Sequence, residues 1–97
     1  MKANIKCFRD KMTRRKVVFE GEPTTFGEWL LLQLTVLDKT RKELARETCN
    51  SEDSVGAWCR DMREPGIRNF LWTCTVLALW RKEEKMTVVC EASEFFQ

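Results

Sequence analysis

Apolar and polar residues alternate along most of this chain with the period of helices, and at its two ends with a shorter one. Phe26, Leu30, Leu34 and Leu37 fall at i, i+4, i+8 and i+11, one buried stripe of a helix over 26–37. Trp29, Leu32 and Val36 widen that stripe, so the helix must pack on two sides. Thr24 or Thr25 can cap it, with Glu28 three residues after Thr25 as the reciprocal half of a capping box. Thr40 repeats the device with Glu43 and predicts a short second helix, 41–47, with Leu44 and Ala45 inward. The turn after it contains Asn50, which tolerates a left-handed backbone, and Ser51 caps a third helix whose apolar face is Val55 and Trp58. "MREPG" ends that helix, because Pro65 disfavours helical geometry at Glu64 and Gly66 permits the bend.

A fourth helix over 67–82 buries Ile67, Phe70, Leu71, Cys74 and Leu77, and Val76, Leu79 and Trp80 give it a second apolar face that needs a partner. The short-period stretches flank these helices. "RKVVFEGEP" places Val17 and Val18 beside Phe19 before Gly21 and Pro23, the pattern of a short strand running into a turn. Met86, Val88 and Val89 in "KMTVVCEAS" read as a second strand, and pairing it with 15–20 satisfies the ladder groups of both; the alternative is a frayed tail. The expected fold is mainly α, four to five helices with a short terminal β pairing. It divides into a basic N-terminal arm at 1–14, a single domain over 15–91 and a tail at 92–97.

The length of 97 residues fits that single domain, and 43% apolar residues with four Trp and six Phe supply a small core. No apolar run approaches the roughly 20 residues that span a bilayer, and "MKANIKCFRDKMTRRK" lacks the apolar segment of a secretory signal. A soluble, cytoplasmic protein with no membrane partner is expected. The five cysteines form no C-x-x-C pair and no histidine is present to complete a zinc site, so neither a metal nor another cofactor is expected. Without histidine the usual general base and the usual activator of a Ser or Cys nucleophile are missing, which argues against an enzyme.

Charge changes the picture more by position than by total. The net charge is only +2 at pH 7, yet residues 1–19 hold Lys2, Lys6, Arg9, Lys11, Arg14, Arg15 and Lys16 against Asp10 alone. Such a terminus is either a solubilising tail or an arm that neutralises phosphates, with Arg14, Arg15 and Lys16 nearest the domain.

The order "FGEWL", "TRKELARETCNSEDSVGAW", a short loop with Pro65 and a closing amphipathic helix resembles the helix-turn-helix of the Cro and Xre type phage repressor family over residues 26–80. Leu44 and Ala45 stand where that family has its buried Leu-Ala pair, and Val55 and Trp58 where it has aliphatic residues in the third helix. The resemblance implies a lambda-repressor-like domain in which the third helix enters the major groove of double-stranded DNA. Base edges then fall to Glu52, Asp53, Gly56 and Ala57. Phosphates fall to Arg41 at the start of the second helix, to Arg60, Arg63 and Arg68 after the third, and to nearby Lys39 and Lys42. Family members commonly carry Gln, Arg, Ser or Thr at the base-reading positions, and often glycine where this chain has Cys49.

Modules of this size work in pairs, so a homodimer is expected, with Trp80, Val88, Val89, Phe95 and Phe96 as its interface. The functional expectation is a sequence-specific transcriptional regulator, a repressor of phage or mobile-element type. Glu52 and Asp53, two acids aimed at a polyanion, keep a second expectation open: an antirepressor or inhibitor on the same scaffold, whose acidic helix faces a basic protein.

Overall fold

In a computed structural model, residues 22–96 are described in full, together with the backbone of two strands at 5–9 and 16–20. The strands are β1 (Ile5–Arg9) and β2 (Lys16–Glu20), followed by α1 (Phe26–Val36), α2 (Arg41–Glu47), α3 (Glu52–Cys59), α4 (Ile67–Arg81) and α5 (Lys85–Ser93). The chain is mainly helical, as expected.

The first three helices begin where their caps predict. Thr25 accepts from the Glu28 amide at 3.1 Å, while the Glu28 carboxylate turns back to the amide and hydroxyl of Thr24, so both threonines share the cap. Thr40 and Glu43 form the full reciprocal box, and Ser51 accepts from the Ser54 amide. The helix ends use a device the residue pattern did not show. Asp38, Cys49, Asp61 and Lys82 take φ between 57° and 60°, just after α1, α2, α3 and α4. Each turn is closed by an amide reaching back five residues: Lys39 to Leu34, Asn50 to Ala45, Met62 to Ala57 and Glu83 to Ala78. The left-handed residue between α2 and α3 is therefore Cys49 and not Asn50. The Asn50 side chain instead bridges the Thr48 carbonyl at 2.9 Å and Asn69 of α4 at 3.2 Å.

Two expectations at the chain ends are corrected. Residues 85–93 form α5 and no strand, and β2 pairs with β1, antiparallel, with Cys7 opposite Val18. The β-branched run Thr87–Val88–Val89 reads as a strand by propensity, but Val88, Ala92 and Phe95 or Phe96 recur at helical spacing, and burying that stripe overrides propensity. β1 lies inside the span read as a basic arm.

The core is Phe26, Trp29, Leu30 and Leu34 from α1, Leu44 and Ala45 from α2, Val55 and Trp58 from α3, Phe70, Cys74 and Leu77 from α4, and Val88 and Ala92 from α5. At one end the rings of Phe26, Phe70 and Phe96 meet at centroid separations of 5.0–6.0 Å, and Phe95 lies 6.3 Å from Trp29. Ile67 and Leu71, expected on the buried stripe, are exposed, as is Leu79 of the second apolar face, and Thr73 and Ala78 take the inner side of α4 instead.

Candidate nucleic-acid interface

α3 is held from two sides. Val55, Trp58 and Cys59 face the core, and α1 crosses against its C-terminal end. The crossing is tight: a Cβ at Gly27 would stand 2.6 Å from the carbonyl oxygens of Trp58 and Cys59. Asp61, just past α3, fixes it. Its carboxylate accepts from the Thr25 hydroxyl at 2.6 Å and from the Gly27 amide at 2.9 Å, at the positive end of the α1 dipole. Only the outer face of α3 remains open.

A helix turns about 100° per residue, so Glu52, Asp53, Gly56 and position 60 share that outer face. Glu52 and Asp53 are exposed, in the first turn, where their charge complements the helix dipole by roughly 0.3–1 kcal/mol each. Ala57 is turned inward and retains only 6% of its exposure, so its methyl is not available as a base-edge contact. Gly56 is also covered, and the three atoms nearest to where its Cβ would stand belong to the Arg60 guanidinium. The outward face thus presents two acids on α3 and, at its C-cap, one arginine. Positions 57 and 60 lie within about 60° of each other on the wheel, so the residue pattern alone does not separate Arg60 from Ala57.

The expected phosphate contacts divide into two sets. Lys42, Arg60, Arg63 and Arg68 are exposed, and Arg41 is half-buried at the first turn of α2. Arg46, unassigned by the sequence, is exposed one turn beyond Lys42 on the same face. Lys39 is engaged within the fold, 3.8 Å from Glu43 and 5.0 Å over the Trp80 ring. Arg14, Arg15 and the Lys16 side chain lie outside the described residues.

The expected dimer residues are mostly internal. Val88 is fully buried, and Trp80, Val89, Phe95 and Phe96 pack against the core. Large apolar side chains do remain exposed elsewhere, among them Leu71, Trp72 and Leu79 along α4.

Another cluster ties the scaffold rather than opening outward. Arg81 donates to Glu91 at 2.7 and 3.0 Å, to Glu83 at 2.8 Å and to Gln33 at 3.0 Å, and the Trp29 indole donates to Glu91 at 3.3 Å. Hydrogen bonds to Arg81 hold the Glu91 carboxyl below the usual carboxylate range. The Cys74 thiol, pushed up to about 11 by burial, stays protonated at neutral pH. Among the described residues no group of three potential ligands could hold a metal, and no helix is long and apolar enough to cross a membrane. No protein-family model, curated protein or solved structure matches the chain.

Proposed function

We propose that the chain is a sequence-specific double-stranded DNA-binding regulator, of the repressor type used by phages and mobile elements, acting as a homodimer. One observation carries this reading: α3 is locked by its inner face and by Asp61 while its outer face is left unpacked, between exposed cations on α2 and on the loop after α3. The succession of α2, a four-residue turn from Thr48 to Ser51 and α3 supports a helix-turn-helix reading. In this reading Lys42, Arg46, Arg63 and Arg68 grip phosphates, and Arg41 joins them from the first turn of α2.

Pairing has candidate surface in Leu71, Trp72 and Leu79, the exposed apolar side of α4. A monomer at micromolar concentration in sedimentation would remove the dimer from the proposal.

The exposed carboxylates of Glu52 and Asp53, adjacent on the outer face, favour a second reading, an antirepressor or inhibitor facing a basic protein. A gel shift at about 50 and 200 mM salt separates the two, since phosphate contacts make affinity fall steeply with salt. Salt-sensitive binding to duplex DNA supports the regulator, and no binding at the lower salt supports the protein partner.

A further inference from the structure

Gly56 and Arg60 stand one turn apart on the outer face of α3, and the arginine lies back over the glycine. A Cβ at Gly56 would be 3.1 Å from one guanidinium nitrogen of Arg60 and 3.8 Å from its central carbon. Long side chains on a helix lean toward its N-terminus, and here the missing side chain at Gly56 leaves the space that the guanidinium fills. Arg60 is exposed, and among the described residues no hydrogen bond or ion pair engages its side chain. Glu52 lies four residues further toward the N-terminus, about 6 Å of rise, with Asp53 beside it. A planar fork of N–H donors and two carboxylate acceptors therefore share one strip of the helix.

We infer that this strip reads G·C base pairs, Arg60 donating to guanine O6 and N7 while Glu52 or Asp53 accepts from cytosine N4. The inference rests on the DNA-binding reading and narrows it to sites with G·C opposite α3. The major-groove edge of guanine offers two acceptors side by side, which match a guanidinium, and cytosine offers a donor, which matches a carboxylate. Adenine places its N6 donor where guanine has O6, and would set it against the arginine donors. Family resemblance assigns Arg60 to a phosphate, but its place over Gly56 puts the guanidinium on the helix face and not beyond the helix end.

Gly56→Ala is the discriminating variant. Alanine is the better helix former, and the added methyl meets only the far end of a flexible side chain, so the fold is retained while the guanidinium is displaced. Arg60→Lys keeps the charge and loses the fork. The preferred duplex is first selected from a random pool, and each guanine is then replaced singly by 7-deazaguanine, which lacks the N7 acceptor. Wild-type protein should lose roughly tenfold in affinity at one guanine per half-site. Gly56→Ala and Arg60→Lys should bind the unmodified site more weakly and lose little further at that guanine, with circular dichroism checking that both remain folded. Wild-type binding that ignores 7-deazaguanine everywhere, unchanged discrimination in Gly56→Ala, or a selected site without G·C each overturns the inference and leaves DNA binding standing. No binding to any duplex at low salt overturns both.

Discussion

The two sides of this molecule use charge in opposite ways. Where α1, α4 and α5 meet, Arg81 satisfies Glu83, Glu91 and Gln33 at once, and Trp29 adds its indole. On the outer face of α3 the arginine and both acids point to solvent, and Arg60 leans on a glycine with no acidic partner among the described residues. A charge that is paired and half-buried serves the fold, because leaving it alone there is costly. Charges left unpaired on a rigid helix add little to stability and remain available to a partner. The contrast predicts a division of labour: substitutions on the first side change stability, and substitutions on the second change binding.

The most severe test strikes the joint between the sides. Gly27→Ala drives a methyl to 2.6 Å from the Trp58 and Cys59 carbonyl oxygens, both backbone atoms that cannot swing aside. The expected cost is about 3 kcal/mol, read by denaturant unfolding. A variant as stable as wild type would mean that α1 and α3 do not cross as described. Next comes Phe96→Ala, which removes the ring 5.0 Å from Phe26 and 5.3 Å from Phe70. Because Phe96 is only half-buried, a loss of about 2 kcal/mol is expected, less than for a core phenylalanine. Binding per folded molecule should be unchanged in the Phe96 variant, which sets it apart from any change at Arg60.

The paired side also carries a pH signature. The Glu91 carboxyl titrates below its ordinary range when folded, chiefly through its hydrogen bonds to Arg81. A lowered carboxyl contributes stability that is present above the unfolded value, about 4.3, and is lost as pH falls through the folded one. Glu91→Gln should therefore cost on the order of 1 kcal/mol at neutral pH, discounted because the side chain is 40% exposed, and the difference from wild type should shrink in acid. Thermal melts at pH 7 and pH 3 measure it. A difference that grows in acid would contradict the pairing.

Local chemistry made much of the fold legible, and tertiary packing decided what was missed. Thr25, Thr40 and Ser51 mark helix starts because capping depends on neighbours three residues away, which a sequence displays directly. α5 was hidden by its β-branched run, and its helical stripe of Val88 and Ala92 gains meaning only against α1 and α4. For the same reason Glu91 reads as one acid in an acidic tail until α5 folds back and brings it to Arg81. At the candidate interface, Glu52 and Asp53 were recognisable from their place after a cap. The exchange of Ala57 for Arg60 was not, because which side of α3 stays open depends on how α1 crosses it.

The smallest effect concerns the turn that joins α2 to α3. Cys49 holds φ at 57°, a left-handed conformation that crowds the Cβ of an L-residue. It is retained because the Asn50 amide closes on the Ala45 carbonyl at 2.8 Å, and the Asn50 side chain then ties the turn to Asn69 of α4. Glycine relieves the crowding, roughly 1–2 kcal/mol, but it also loosens the unfolded chain, which returns roughly 0.4–1 kcal/mol of that gain. The net expectation for Cys49→Gly is a stabilisation of about 0.5 kcal/mol, or about 2–4 °C in Tm for a domain of this size. Because Cys49 is exposed, no buried contact is lost in the exchange. Discrimination among duplexes should not move, since the orientation of α3 is set by Gly27, Asp61 and its own inner face rather than by strain in the turn. A destabilised glycine variant would show that the thiol contributes more than the backbone costs. A stabilised variant with altered discrimination would show that strain in this turn, and not packing alone, sets the angle of α3.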